Sequence, residues 1–309
     1  MMAGLAVGLF PAARYLEAQE IDLVELTTDD VQVGYAVGKF TAVELTQAFL
    51  DRIERYEAHY NAFISMNPDA LATAAQLDVE YALDGPRGPL HGVPVVIKDN
   101  IDYGGLVTTA GWEGFSQATG GVSMIPDDDA AVVTRLREAG AIILGKTNLP
   151  DFAAHGTRTN STVAGRTLNP YNVDKVPGGS SGGTATAVNA SFAVLGLGTE
   201  TGGSIQNPAS AQALVGVKPT YGLVSRHGVT PLSWSLDHAG PLAHTAEDVA
   251  LTMDVVARHD PRDPFSAKPA PIDFTTHLGD GVAGLRIGVP REYVWDVLDG
   301  EVEASVREA

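Results

Sequence analysis

Short, wholly apolar runs follow helical patterns along the first half of the chain. The helical pattern at Asp129–Ala139 leads directly into the apolar run Ala141–Leu144, and Gly92–Lys98 contains a second run of this kind. A strand without polar alternation is buried on both sides, as in a parallel sheet that helices cover. We therefore expect an α/β fold with a mixed, mostly parallel central sheet and helices on both faces.

The first 85 residues have the pattern of a helical segment. Thr41 and Glu44 have the spacing of a capping box, in which both side chains accept hydrogen bonds from free amides at a helix start. Apolar residues then recur every four positions, at Leu45, Phe49 and Ile53. We predict that residues 1–85 pack as a helical segment on a core formed by residues 86–309.

The last part of the chain is predicted to contain a surface connection, a strand and a helix. Four prolines between residues 258 and 282 indicate a long surface connection. The run Leu285–Pro290 then predicts another strand, and the last residues before Ala309 predict a helix.

The composition restricts the classes of partner. Acidic residues outnumber basic ones by 38 to 20, a formal net charge of −18, so nucleic acid and anionic membranes would repel the surface. The absence of cysteine excludes disulfides, thiolate metal sites and a cysteine nucleophile. The apolar start lacks the basic residues of a secretory leader, and no run of about 18 apolar residues follows. We expect a cytoplasmic protein that acts on a small molecule, with a homodimer as its candidate assembly.

Two motifs match known patterns in the wrong structural context. Gly140–Thr147 fits the phosphate-loop pattern, but its spacer is itself the predicted strand, whereas a phosphate loop follows a strand and opens a helix. Gly178–Gly182 contains the nucleophile-elbow pattern, which needs a strand directly before it, yet residues 169–177 have the composition of a loop. A serine–histidine–aspartate set remains an alternative, completed by Asp237 and one of the downstream histidines His227, His238 and His244.

Lys98 is the first candidate for chemistry. It ends the apolar run Val95–Ile97, where burial disfavours the charged form of an amine and leaves a base. Strand alternation points Asp99 away from Lys98, so no neighbouring carboxylate is expected to hold the amine protonated. A lysine at a strand end with its amine in water is the simpler alternative.

Ser204 is the second candidate, because it follows Gly202 and Gly203. Consecutive glycines allow the backbone to turn several amides toward one point, as an oxyanion hole requires. A serine there can attack a carbonyl once a base takes its proton. Taken alone, such a cluster is usually a turn.

Several spaced motifs together resemble the amidase signature family. The most diagnostic stretch resembles Pro177–Gly183 followed by Gly198–Ile205, including the 24-residue step from Ser180 to Ser204. The resemblance covers roughly residues 35–295 and includes four more groups of residues, namely His91–Pro94 with Lys98–Asn100, Gly145–Asn148, Gly216–Ser225 and Asp237–Leu242.

The resemblance implies a catalytic triad of two serines and a lysine, with no metal and no cofactor. Ser204 would be the nucleophile, and Ser180 would be a bridging serine with a cis peptide bond to Gly179. Lys98 would be the neutral base that draws the proton of Ser204 through Ser180. An oxyanion hole would come from the backbone amides of Thr201, Gly202, Gly203 and Ser204, with support by hydrogen bonds from Ser181 and Thr199.

Two residues depart from the family pattern. The family commonly has aspartate where this chain has Glu200, and arginine where it has Gln206. Glu200 and Gln206 would keep a hydrogen bond that braces the nucleophile loop, but not an ion pair. In this respect the chain resembles the peptide amidases, aryl acylamidases and urethanases more than the amidotransferase branch. We also expect residues 86–309 to lack the usual C-terminal portion of the family.

These observations predict a serine hydrolase that cleaves a carbon–nitrogen acyl bond through an acyl-enzyme on Ser204. The expected substrate is an amide or anilide, followed by a carbamate or an ester. One alternative is the glutaminase subunit of a tRNA-dependent amidotransferase, which would hand ammonia to a partner subunit. Another is a catalytically silent binding module.

Overall fold

A six-stranded mixed sheet lies at the centre of the computed structural model, which describes residues 21–268, 272–289 and 298–308. The spatial order of its strands is β1-β3-β2-β6-β8-β7. The strands are β1 (Phe63–Met66), β2 (Pro94–Lys98), β3 (Ile142–Thr147), β6 (Leu195–Glu200), β7 (Val215–Gly216) and β8 (His238–Ala243). A separate two-stranded sheet pairs β4 (Asn160–Ser161) with β5 (Gly165–Arg166).

The strand directions confirm the predicted mixed sheet. β2 pairs in parallel with both β3 and β6, whereas β1, β8 and β7 each pair with their neighbour in the antiparallel sense. β7 therefore points the same way as β6, so that four of the six strands share one direction. Every residue of β2, β3, β6 and β8 is buried, which shows that both faces of the sheet are covered.

Eight α-helices are described along the chain. α2 begins with the predicted capping box, in which the Thr41 hydroxyl accepts from the Glu44 amide and the Glu44 carboxylate accepts from the Thr41 amide. The helices are α1 (Thr28–Ala36), α2 (Ala42–Tyr60), α3 (Ala70–Asp84), α4 (Ala131–Glu138), α5 (Gly182–Asn189), α6 (Gln206–Ala211), α7 (Ala246–Val256) and α8 (Gly300–Glu308). No helix in the described ranges is long and apolar enough to cross a bilayer.

The residues before position 86 also contribute a strand. β1 pairs antiparallel with β3 at the edge of the sheet, and Phe63 lies opposite Thr147. The predicted apolar face of α2 is buried at Leu45, Phe49 and Ile53. Residues 1–20 of the predicted helical segment lie outside the described residues, and the boundary at 85 stays a prediction.

The strand predicted at Leu285–Pro290 is wrong over its described part. Residues 285–289 form no strand, and Pro290 lies outside the described residues. Ile287 and Val289 are exposed, and no described strand pairs with them, so this apolar run lacks the neighbour that a strand needs. By their internal contacts, the described residues up to Thr275 form one compact unit, and the described residues from Thr276 onward, which include α8, form a second.

Candidate active site

Three parallel strands end at the same edge of the sheet and bring their following loops together there. Lys98 is the last residue of β2, Thr147 ends β3 and Glu200 ends β6. α5 packs closely on β6, because a Cβ on Gly196 would lie 2.4 Å from the Thr184 side chain. This packing places Ser180 and Ser181, which directly precede α5, beside the end of β6.

The Lys98 amine lies completely buried at this edge. Its Nζ is 2.6 Å from Ser180 Oγ and 2.8 Å from Thr199 Oγ1. Burial lowers the pKa of Lys98 well below its usual value, and the negative charges of Asp237 and Glu200 oppose this only in part. The alternative of an amine in water is therefore wrong, and the lowered pKa of Lys98 favours the neutral amine.

Ser181 connects the Ser180 turn to the loop that contains Ser204. Its amide donates to the Ser204 carbonyl at 3.1 Å, and its hydroxyl donates to the Thr199 carbonyl at 3.0 Å. The peptide bond between Gly179 and Ser180 is cis, as the resemblance implies. The Ser204 side chain has no hydrogen-bond partner in the described part of the chain, and the residue is 6% exposed. The structure thus brings Ser180 to the Lys98 amine and joins its neighbour Ser181 to Ser204, while the hydroxyls of Ser180 and Ser204 form no hydrogen bond with each other.

The loop from Thr201 to Ser204 presents its amides without protein acceptors. None of these four backbone N–H groups donates to an atom of the described residues. The carbonyls are engaged instead, since Gly203 accepts from the Asn207 amide at 2.7 Å and Ser204 accepts from Ser181. Gly203 has φ +100°, a left-handed conformation that glycine adopts without strain. A row of free amides of this kind suits a negatively charged oxygen.

The Glu200 carboxylate braces the loop on its far side. One of its oxygens accepts from the backbone amides of Ile205 and Gln206, at 2.8 and 2.9 Å. The predicted contact between Glu200 and Gln206 therefore uses the backbone of Gln206. Sequence reasoning gave no role to Asn100, whose Nδ2 is 3.1 Å from Thr199 Oγ1, although it lies in the quoted motif Lys98–Asn100.

Comparison with known proteins identifies the family of this fold and site. A family model described as Amidase matches residues 44–309. This chain belongs to the amidase family. The A subunit of the glutamyl-tRNA(Gln) amidotransferase from Alkaliphilus metalliredigens is 42% identical over 287 residues, which are 92% of this chain and 57% of that protein.

Two solved structures of other proteins are similar to this fold. The native peptide amidase from Stenotrophomonas maltophilia is 39% identical with a TM-score of 0.75, covering 82% of this chain and 53% of that chain. The A subunit of the glutamyl-tRNA(Gln) amidotransferase from Thermotoga maritima is 34% identical with a TM-score of 0.70, covering 85% and 53%. The chain spans little more than half the length of the relatives that it matches.

These relatives confirm the predicted family and fold. They also bear on two of the functional expectations, the choice between a general amidase and a glutaminase and the absence of a nucleic-acid partner. The amidotransferase name of the curated relatives favours the glutaminase alternative over a general amidase. The transfer RNA in that name is in tension with the expectation that nucleic acid is no partner. The expectations of a cytoplasmic location and a homodimer stay predictions.

A second buried lysine of this amidase lies on the neighbouring strand β3. Lys146 Nζ forms an ion pair with the Asp99 carboxylate at 3.0 Å, and both side chains are fully buried. The same Nζ lies 2.6 Å from Thr108 Oγ1 and 3.0 Å from the Val107 carbonyl. As predicted, Asp99 points away from Lys98.

The serine–histidine–aspartate alternative is not assembled in this amidase. His238 lies opposite Glu200 at the start of β8, and both of its ring nitrogens are buried without a hydrogen-bond partner in the described residues. Burial lowers the pKa of its imidazole. Asp237 bonds to the Thr201 hydroxyl rather than to a histidine. Residues 169–177 contain no strand, which removes the elbow context as well.

The segment that matches the phosphate-loop pattern is a strand, as predicted. β3 covers the spacer and the end of Gly140–Thr147, so this segment is a strand and not a phosphate loop. Within the described ranges, histidine and carboxylate side chains form no cluster suited to a metal ion.

Proposed function

We propose that this chain contains the catalytic site of a serine amidase, which cleaves a carbon–nitrogen acyl bond through an acyl-enzyme on Ser204. The observation that carries the proposal is the buried Lys98 amine, 2.6 Å from Ser180 Oγ. In the described part of the chain no carboxylate lies within ion-pair distance of this amine. A neutral amine can act as the base that activates a serine nucleophile through a second hydroxyl, and a row of free amides can stabilise the oxyanion. Catalysis of acyl transfer by a serine requires both.

The first step forms the acyl-enzyme precursor. The neutral Lys98 amine takes a proton from the Ser180 hydroxyl while Ser180 takes the proton of Ser204. The Ser204 oxygen attacks the substrate carbonyl carbon, and the carbonyl π electrons move onto its oxygen. The free amides of the loop then donate to this oxyanion, and losing one such donor typically costs about 10²–10³ in rate.

The second step expels the amine. The proton held by Lys98 returns through Ser180 to the leaving nitrogen, the carbon–nitrogen bond breaks, and an ester on Ser204 remains. Water then attacks this ester while the same lysine accepts its proton, and the acid leaves as Ser204 regains its hydrogen.

The remaining predicted residues support this arrangement. The Thr199 hydroxyl accepts a second hydrogen bond from the lysine amine at 2.8 Å, and the Ser181 amide donates to the Ser204 carbonyl. Gly179 has no room for a side chain, because a Cβ there would lie 2.8 Å from the carbonyls of His155 and Arg158. Gln206 acts through its amide, which Glu200 holds.

Two substrate classes remain for this chemistry. The carboxamide of glutamine, with ammonia passed to a partner subunit, is supported by the name of a relative that is 42% identical. A small amide, anilide or carbamate, hydrolysed without a partner, is supported by the peptide amidase structure and by Gln206 in place of the family's arginine. The net charge of −18 also favours the second class.

The test is turnover of a substrate panel by the purified protein and by Ser204→Ala. The panel contains glutamine, a primary amide, a 4-nitroanilide, an ester and an aryl carbamate. Ser65→Ala is the matched control, because its hydroxyl in β1 is buried without a partner among the described residues. We expect Ser204→Ala to lose at least about 10³-fold in kcat, since nucleophile and base act as a unit, and Ser65→Ala to keep wild-type turnover.

The same experiment separates the alternatives. Release of ammonia from glutamine that depends on added amidotransferase partner subunits favours the glutaminase. Turnover of anilide or carbamate by the protein alone favours the general amidase. Turnover that survives Ser204→Ala contradicts the proposed mechanism. A folded protein without turnover, whose Ser204 also fails to react with a sulfonyl fluoride, favours the silent binding module.

A further inference from the structure

Asp237 ties the nucleophile loop to a neighbouring surface loop. One oxygen of its buried carboxylate accepts from the Thr201 hydroxyl at 2.5 Å. The other oxygen accepts from the backbone amides of Leu232 and Ser233, at 2.9 and 2.8 Å. All three donors are therefore satisfied by one side chain, and Thr201 is joined to a segment more than 30 residues further along the chain.

The nucleophile loop needs such an attachment at its Thr201 end. Its middle consists of Gly202 and Gly203, and neither would place a Cβ within 4 Å of another residue. Two glycines in open space have little conformational preference of their own, so the loop depends on contacts at its ends. Ser181 and Glu200 hold the Ser204 end, and Asp237 holds the Thr201 end.

Asp237 also acts electrostatically on the base. Its charge raises the pKa of Lys98 against the effect of burial, and Glu200 does so to a smaller extent. From β2 and β3, the charged groups beside Lys98 are Asp99 and Lys146, which compensate each other in an ion pair. The turn before α5 contributes only the Ser180 hydroxyl. Of the two carboxylates that raise the pKa of Lys98, Asp237 has the larger effect.

We propose that Asp237 is a positioning residue of the amidase site, which holds the Thr201 end of the nucleophile loop in the conformation that stabilises the oxyanion. This inference rests on the proposed function. It gives the residue two separable effects, one through the hydrogen bond to Thr201 and one through the negative charge.

The variants Asp237→Asn and Thr201→Val separate these effects. An asparagine in place of Asp237 offers one acceptor oxygen to three donors, so it loses the anchor and the charge together. Thr201→Val loses the anchor but keeps the charge. We expect kcat to fall about 10²-fold in both, as small displacements of a site do, with KM changed much less. The double variant should be little worse than either single one.

The pH profile provides the readout that a purely structural role would not move. Without the charge of Asp237 the pKa of Lys98 falls further, so the acid limb of kcat moves to lower pH in Asp237→Asn. In Thr201→Val the limb stays where it is in the wild type. Asp248→Asn is the matched control, because Asp248 is also buried but accepts hydrogen bonds from the Thr245 hydroxyl at the start of α7 and from the Thr28 amide. It should keep both kcat and the limb.

Two outcomes overturn this inference alone. One is an Asp237→Asn protein with wild-type kcat and an unmoved acid limb, while Ser204→Ala is inactive. The other is equal losses of kcat in Asp237→Asn and Asp248→Asn, in proportion to their losses of thermal stability. Wild-type turnover that survives Ser204→Ala overturns the proposed function, and with it this inference.

Discussion

The ends of β2 and β3 each bury a lysine, and the two lysines have different surroundings. Lys98 and Lys146 are both 0% exposed, and in the sheet Ile97 lies opposite Lys146. Lys146 has the Asp99 carboxylate at 3.0 Å, together with a threonine hydroxyl and a carbonyl. The nearest partners of Lys98 are two hydroxyls, those of Ser180 and Thr199.

The two lysines share burial and differ in the carboxylate next to the amine. Burial lowers the pKa of both amines. At Lys146 the adjacent Asp99 opposes this effect through its charge and a hydrogen bond, and the ion pair joins a strand to a loop. At Lys98 the carboxylates of Asp237 and Glu200 act only from beyond ion-pair distance. Lys98, which has no carboxylate within ion-pair distance, is therefore the lysine that we propose as the proton acceptor.

The largest predicted effect is the loss of activity in Lys98→Met. We expect kcat to fall by about 10²–10⁴ or more, because the variant lacks the general base. The melting temperature should equal or exceed that of the wild type, since a thioether avoids the desolvation cost of a buried unpaired amine. Turnover of the best panel substrate and a thermal melt check both parts.

The same substitution at the other lysine should act mainly on stability. Lys146→Met leaves Asp99 buried without its partner, and breaking a buried ion pair in this way costs about 3–5 kcal/mol of unfolding free energy. Chemical denaturation measures this loss. The double variant Lys146→Met/Asp99→Asn should recover a large part of it, because no unpaired charge remains. A single variant as stable as the wild type would contradict the role given to the pair.

The pH dependence of stability should distinguish the two lysines next. The pKa of Lys98 in the folded protein lies well below 10.5, its ordinary value. At pH values between the folded pKa and 10.5, the unfolded chain therefore binds a proton at this lysine that the folded chain does not. Stability from this group therefore rises with pH across that window, by up to about 1.4 kcal/mol per pH unit. Denaturation curves of the wild type minus those of Lys98→Met should show the rise. A flat difference would mean that the folded amine has its ordinary pKa.

The smallest predicted effect concerns one hydrogen bond of the structural lysine. Thr108→Val removes a hydroxyl that accepts from Lys146 Nζ at 2.6 Å. The same hydroxyl donates to the Asp102 carboxylate at 2.7 Å. We expect a loss of about 1 kcal/mol in unfolding free energy and an unchanged kcat. Thr199→Val, made at the corresponding hydroxyl beside Lys98, should instead reduce kcat. Equal effects on kcat from both variants would remove the distinction between the two sites.

Part of this comparison is visible in the sequence. The apolar run before Lys98 predicts its burial, and strand alternation predicts that Asp99 turns away from it. The burial of Lys146 is not visible, because the apolar run ends at Leu144. β3 continues for three more residues, to Thr147, and so includes Lys146. The Asp99–Lys146 pair joins the loop after β2 to β3, and the contact of Thr201 with Asp237 joins two loops. Contacts of this kind depend on tertiary packing, which local patterns do not encode.

The fold shows the same limit. Helices with a clear apolar period, such as α2, and strands built on an apolar run, such as β2, follow from the sequence. β1 has four residues and pairs only at the sheet edge, so its pattern is too short to distinguish it from a loop. At residues 285–289 the pattern exists but no described strand pairs with it, and composition alone cannot supply a neighbour.

The most direct test of the account is an NMR titration of the lysine side-chain amines in the folded protein, with Lys98→Met and Lys146→Met used to assign the two signals. The account predicts that Lys98 loses its proton well below pH 10.5, and at a lower pH than Lys146 does. If Lys98 titrates at its ordinary value, or if the two amines titrate together, Lys98 is not the neutral base and the proposed mechanism is wrong.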